Sequence, residues 1–208
     1  MSNLKKNVSV SIIAVAGLVS SFHANAADNN WYSGISLGTS TVDTGVSNTT
    51  GTARLDEDGS GFKLYIGKKI DKTISVEGFY ADFGEASLTG NSGDNFDLNG
   101  TTYVFTTNNA RIATEATGIG ANAKFTFAFS DKSSVYGRIG MMKWDVTASV
   151  SGASVTSSTA SDDGTDPFFG VGYKYNFNNK YSLTVDYDSY TASDADLNMF
   201  AVGVLFNF

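Results

Sequence analysis

The most constraining feature of this sequence is a two-residue alternation that recurs in eight separate segments. In each segment apolar side chains hold one parity, and glycine, serine, asparagine and charged residues hold the other. In the last segment the apolar parity belongs to Phe200, Val202, Val204, Phe206 and Phe208. Because successive side chains of a β-strand point to opposite faces, this period predicts strands with one apolar face and one mixed face.

The alternation predicts eight strands, with each boundary uncertain by about two to four residues. We place them at 31–40, 60–70, 73–83, 115–129, 133–146, 167–177, 180–190 and 197–208. Short turns are expected at 71–72, 130–132 and 178–179, and longer connections at 41–59, 84–114, 147–166 and 191–196. An even number of strands with alternately short and long connections is typical of a single-chain membrane barrel.

The first residues have the pattern of a cleavable export signal. Lys5 and Lys6 precede an apolar run at 12–19, which is followed by the small-residue site Ala24-Asn25-Ala26. The run is shorter than the roughly 18 residues that a spanning helix needs. We therefore expect residues 1–26 to be a signal peptide and 27–208 to form the mature domain.

The composition of the mature chain argues against catalysis. Its only histidine, His23, lies in the expected signal peptide, and the sequence has no cysteine. Residues 34–38 fit a G-x-S-x-G pattern, but a nucleophile elbow needs a strand-to-helix turn and a histidine. Acidic clusters in the long connections have no recognised metal-binding spacing. We expect no enzyme, catalytic residue, cofactor or metal, and the net charge of −7 disfavours nucleic acid.

Alternation alone does not distinguish a soluble β-sandwich from a membrane barrel. An exported chain with aromatic residues near its strand ends favours the barrel, because such residues form interfacial girdles. The expected girdle residues are Trp31, Tyr32, Tyr175, Phe177, Tyr181, Phe206 and Phe208. The predicted fold is all-β, an eight-stranded antiparallel up-and-down transmembrane β-barrel in the bacterial outer membrane, with lipid and lipopolysaccharide around it.

Charged residues on the mixed faces lie at a similar distance from the short turns, roughly 12–19 Å along the barrel axis. They are Lys63, Glu77, Lys124, Arg138, Lys174, Asp186 and Asp188. Isolated buried charges are costly, so we expect an internal salt-bridge layer. Glu77 would pair with Lys124 or Arg138, and Asp186 with Arg138 or Lys174. The layer is either a structural plug or a gate whose partners exchange.

The sequence resembles the N-terminal transmembrane barrel of the outer-membrane protein A family. Residues 31–38, Trp-Tyr-Ser-Gly-Ile-Ser-Leu-Gly, are similar to its opening strand, and 123–144 resemble its fourth and fifth strands. The resemblance implies internal salt bridges, with Glu77, Lys124 and Arg138 at matching positions. This chain differs at Lys174, where the family often has an acid, and ends without the family's periplasmic domain, so we expect none.

The expected function is that of a non-enzymatic membrane scaffold whose surface loops mediate contact or adhesion with a host or envelope surface. The alternatives are a narrow porin-like channel gated by the salt bridges and, more remotely, an outer-membrane lipid or peptide hydrolase. The resemblance also implies periplasmic chaperones and the barrel-assembly machinery as partners. Phe208, on the apolar parity, is expected to be the assembly signal.

Overall fold

The structure is a computed structural model that describes residues 30–153, 155–192 and 195–208. The expected signal peptide lies outside these residues. Within them the chain forms strands joined by turns. The strands are β1 Trp31–Val42, β2 Val46–Ser47, β3 Arg54–Asp56, β4 Asp58–Lys69, β5 Ile74–Gly90, β6 Asn95–Leu98, β7 Thr101–Val104, β8 Ala110–Ala128, β9 Ser133–Gly152, β10 Val155–Asn176, β11 Tyr181–Ala192 and β12 Ala195–Asn207.

Eight of these strands form a closed antiparallel barrel. Around the barrel the order is β1, β4, β5, β8, β9, β10, β11 and β12, and β12 pairs again with β1. Closure leaves no unpaired backbone edge in the wall, as a spanning sheet requires. The predicted fold class and strand count are confirmed. We call the end with the turns at 71–72, 130–132 and 178–179 the short-turn end, and the opposite end the long-hairpin end.

The two faces of the wall follow the parity of the sequence. Leu37, Ile119, Ile139 and Phe169 point outward and are about 60% exposed on an apolar belt. Residues of the opposite parity point into the lumen and are buried. Among the described residues, no helix has the length and apolar character needed to cross a membrane.

The strands extend well beyond the predicted boundaries at the long-hairpin end. Most of 147–166, predicted as a long connection, belongs to β9 and β10, which pair from Tyr175 with Ser133 up to Val155 with Gly152. Residues 84–114 likewise contain the ends of β5 and β8 and a separate hairpin of β6 and β7. The prediction was wrong there because strands with water on both faces have no apolar alternation to reveal them.

A bend in β5 separates the barrel from the structure above it. The pairing of β5 with β8 shifts register between Asp82 and Glu85. Gly84, between them, has φ +70°, and a Cβ there would lie 2.6 Å from the Ser60 carbonyl oxygen. Asp82 Oδ1 accepts a hydrogen bond of 2.8 Å from the Gly84 amide. Glycine is therefore required at this bulge.

Beyond the bend, short strands form a folded unit that we call the outer platform. It consists of β2, β6 and β7 in one sheet, β3 paired with β5, and the outer ends of β5 and β8. Leu88, Phe96, Phe105 and Ala110 are buried together in a small apolar core. The connections at 41–59 and 84–114 therefore pack together around an apolar core of their own.

Candidate functional site

Six of the seven predicted charged residues meet in the lumen, in what we call the ion-pair layer. Each is at most 4% exposed. They are Lys63, Glu77, Lys124, Arg138, Asp186 and Asp188. Strand register brings them together, since Lys124 lies directly opposite Arg138 on neighbouring strands.

Arg138 is the centre of the larger group in this layer. Its Nη2 atom lies 2.8 Å from Asp186 Oδ1 and 2.7 Å from Asp188 Oδ1. Lys63 Nζ forms an ion pair with Asp188 Oδ2. Two carboxylates thus share one guanidinium and one ammonium, which compensates charges that would be costly to bury alone.

Glu77 and Lys124 form the second ion pair, with 3.0 Å between Oε1 and Nζ. Tyr32 donates a 2.8 Å hydrogen bond to Glu77, and Tyr136 donates a 2.5 Å bond to Asp186. Lys124 Nζ also lies 4.0 Å from the centroid of the Tyr136 ring, within the range of a cation–π interaction. Tyrosines therefore complete both halves of the layer.

The tyrosines of the lumen show where the sequence interpretation was wrong. Tyr32 was predicted to join the interfacial girdle, but its side chain is 2% exposed and bonded to Glu77. The parity of Tyr32 indicates its inward position correctly. Tyr32 is on the same face of β1 as the buried Ser36, and Ile35 and Leu37 are on the opposite face. A residue near a strand end still follows the alternation of the pleated strand, so its parity determines which face its side chain is on.

Lys174 does not join the ion-pair layer. It lies opposite Thr184 and Ser134, whereas Asp186 lies opposite Gly172, one inward position further from the short-turn end. Within the described part of the chain, no carboxylate lies within ion-pair distance of Lys174. Of the two partners expected for Asp186, the structure has Arg138 and not Lys174, and Tyr136 contacts the same carboxylate.

An aromatic layer fills the lumen on the long-hairpin side of the ion pairs. Phe168 and Tyr190 stack with ring centroids 4.8 Å apart, and Phe79 and Phe83 pack edge-on at 5.1 Å from Phe168 and 5.0 Å from Tyr190. The space left between the two layers is too small for a water molecule. Sequence reasoning did not identify this layer, although the parity of each ring places it inward.

Acidic residues of the outer platform act as local structural acceptors. Asp94 accepts bonds from Thr52 Oγ1 at 2.6 Å, the Asn91 amide at 2.8 Å and the Thr52 amide at 3.1 Å. These bonds hold the pKa of Asp94 below its ordinary value. Among the residues that the structure describes, no cluster of three or more His, Cys, Asp or Glu could hold a metal ion.

Phe208 lies at the short-turn end. Its amide donates a 3.0 Å hydrogen bond to the Trp31 carbonyl oxygen, and its ring packs at 5.1 Å from that of Phe206. The contact joins the last residue to the first barrel strand. Its expected role in assembly stays a prediction.

Comparison with known proteins agrees with this architecture. Residues 11–208 match the family model described as "Outer membrane protein beta-barrel domain". Outer membrane protein A of Salmonella typhi is 26% identical over 217 residues, covering 99% of this chain and 56% of that protein. Outer membrane protein A of Shigella flexneri is 28% identical over 198 residues, covering 94% and 51%. The chain spans about half the length of these relatives.

A solved structure shares the fold at low sequence identity. It is Ail, the attachment invasion locus protein of Yersinia pestis, in complex with the heparin analogue sucrose octasulfate. The TM-score is 0.52 at 16% identity, and the alignment covers 86% of this chain and 99% of Ail.

Proposed function

Because the chain belongs to the family of outer-membrane protein β-barrel domains and resides in the bacterial outer membrane, we propose that it is a non-enzymatic anchor whose outer platform and long hairpins contact other surfaces. The observation that carries the proposal is the contrast between a filled lumen and an ordered, exposed outer end. The ion-pair layer and the aromatic layer fill the middle of the barrel interior. This arrangement favours contact on the long-hairpin side.

The outer platform is suited to contact because hydrogen bonds connect its segments and its surface is exposed. Asn48 bonds Asp97 at 2.8 Å and Thr44 Oγ1 bonds Glu57 at 2.7 Å, which ties the connections to one another. Strand β7 is the edge of its sheet, and its residues Tyr103 and Val104 are about half exposed. A preformed surface binds with a smaller loss of conformational entropy than a mobile loop.

The charge of this end indicates the chemistry of the partner. Basic residues are few there, namely Arg54, Arg111 and Lys143, and acidic residues are many, including Asp56, Glu57, Asp58, Asp162 and Asp163. A sulfated polyanion of the kind bound to Ail would be repelled by this surface. We propose a neutral or basic surface as the partner.

The test is binding by proteoliposomes that carry the protein, on immobilised neutral oligosaccharide, basic peptide and heparin. We expect saturable binding to a neutral or basic probe and little retention on heparin. Replacing residues 95–104 with a short Gly-Ser turn should weaken binding at least about tenfold. Unchanged heat-modifiable migration on SDS gels controls for barrel folding. Equal binding by the variant, or preference for heparin, would contradict the proposal.

A gated channel is the second candidate, and the sharing of Arg138 between Asp186 and Asp188 favours it. A guanidinium with two acceptors can release one of them without becoming unpaired. Single-channel recording on Glu77→Ala tests this candidate. The substitution removes the carboxylate that pairs with Lys124 and would therefore open the ion-pair layer. A conductance equal to that of the wild type would eliminate the gate.

We propose that Phe208 is recognised by the barrel-assembly machinery after delivery by periplasmic chaperones. Its contact with Trp31 suggests a role at the seam between the first and last strands. Deleting Phe208 should reduce the amount of protein in outer-membrane fractions, measured by immunoblotting. Undiminished insertion would refute this role.

We further propose lipopolysaccharide and phospholipid as the ligands of the apolar belt.

A further inference from the structure

The lumen contains more positive than negative side chains. The carboxylates of Glu77, Asp186 and Asp188 are all paired within the ion-pair layer. Two more lysines, Lys69 and Lys174, face the lumen nearer the short-turn end. Across residues 30–153, 155–192 and 195–208, neither lies within ion-pair distance of a carboxylate. Two positive charges are therefore left uncompensated inside the wall.

These lysines approach the lumen from opposite sides. On one wall, Lys69 lies opposite Ser75, which lies opposite Lys124 on the next strand. Lys69 Nζ and Lys124 Nζ lie 5.9 and 5.3 Å from the centroid of the Tyr32 ring. From the other wall, Lys174 interacts electrostatically with both lysines. Lys69 and Lys124 therefore lie around the Tyr32 ring, and Lys174 lies on the wall across the lumen from them.

Lys174 is flanked by two buried hydroxyl groups. It lies directly opposite Ser134 on β9 and Thr184 on β11. Thr184 is fully buried and its hydroxyl interacts with that of Tyr65, whereas Ser134 is 3% exposed and Ser134 Oγ has no hydrogen-bond partner. Buried hydroxyls in folded proteins are nearly always satisfied, so each such group needs an explanation.

We propose that this lysine vestibule, formed by Lys69, Lys124, Lys174 and Ser134, binds a small oxyanion that carries two negative charges. A dianion such as phosphate matches the two uncompensated ammonium groups. Its oxygens accept hydrogen bonds, which the lysines and the Ser134 hydroxyl can donate. Attraction is strong there because the surrounding wall has a low dielectric constant. The vestibule is near the short turns, so an anion would enter from that side.

The experiment is a titration of the protein, refolded in a non-ionic detergent, with inorganic phosphate, followed by ³¹P NMR line broadening and calorimetry. We expect saturable binding to the wild type. Lys174→Gln should weaken it at least about tenfold. Ser134→Ala should weaken it about threefold, since it removes one neutral donor. Lys174→Arg should preserve most of the affinity.

Lys132→Gln is the matched control, because Lys132 is an exposed lysine in a short turn at the same end. It should bind phosphate like the wild type. Heat-modifiable migration checks that each variant forms the barrel, and Lys69→Gln replaces Lys174→Gln if that variant does not fold. Absence of saturable binding, or equal weakening by Lys132→Gln, would overturn the proposal.

Discussion

The lumen and the outer platform hold their charges in opposite ways. In the ion-pair layer the paired side chains are at most 5% exposed, and carboxylates share their cations. At the long-hairpin end, the side chains of Arg111 and Glu85 are 45% and 35% exposed, and those of Lys143 and Asp163 about 60%. The fully buried charges of the ion-pair layer are paired and so constrain the sequence, whereas exposed pairs leave it free to change with the partner.

The largest expected effect on the free energy of unfolding is that of Arg138→Met. It leaves Asp186 and Asp188 with Lys63 as the remaining cation of their group, and all three side chains are at most 3% exposed. Breaking a buried ion pair by removing one partner costs about 3–5 kcal/mol. Urea unfolding in lipid vesicles measures the loss of unfolding free energy.

Arg111→Met is the matched control for this prediction, since it removes an arginine from an exposed pair. Such pairs contribute about 0–1 kcal/mol, so its unfolding midpoint should hardly move. If both substitutions destabilised the protein equally, burial would not be what distinguishes the two regions.

The barrel and its charged layer were largely predictable from the sequence. Lipid outside and a narrow lumen inside require alternate residues to differ in character. Val202, which is large and apolar, therefore faces outward, and the small Ala201 faces the lumen. Counting residues from the short turns then placed Glu77, Lys124 and Arg138 at one depth. The same physical constraint explains why these predictions needed no homologous structure.

The remaining features lacked such a constraint. Outside the membrane both faces of a strand meet water, so the outer halves of β9 and β10 have no diagnostic period. The position of Lys174 depended on strand register, because Lys174 lies one inward position away from the level of Asp186. Parity identifies a face, but it does not identify the partner across the lumen.

Phe96→Ala tests whether the outer platform folds independently of the barrel. The Phe96 ring lies 5.0 Å from Phe105 and 5.6 Å from Tyr103, centroid to centroid. Removing it should lower the free energy of local opening by about 3 kcal/mol. Amide hydrogen exchange of β6 and β7 measures this loss, and the urea midpoint of the barrel should stay unchanged.

Phe168→Ala is the corresponding substitution in the aromatic layer, where the ring packs against Phe79 and Tyr190. It should lower the urea midpoint, because the lumen unfolds with the whole barrel. A global loss caused by Phe96→Ala would show that the two regions form one cooperative unit. A purely local loss caused by Phe168→Ala would show that the aromatic layer does not unfold with the whole barrel.

The smallest expected effect is acid sensitivity of the outer platform through Asp94. Its folded-state pKa is held below the ordinary value by hydrogen bonds from Thr52 and Asn91. A depressed pKa means that the ionised carboxylate stabilises the fold above the ordinary aspartate value, about 3.9, and that this contribution is lost as pH falls through the lowered pKa.

Pepsin cleavage of the platform, measured from pH 4 downward, reports this loss. Dividing the wild-type rate by that of Asp94→Asn cancels the pH dependence of the protease. The ratio should be lowest near pH 4 and approach one as the solution becomes more acidic, because protonation removes the difference between the two side chains. Asp56→Asn, at an exposed site on β3, should keep the wild-type profile. A ratio that did not change with pH would mean that the Asp94 charge does not stabilise the platform.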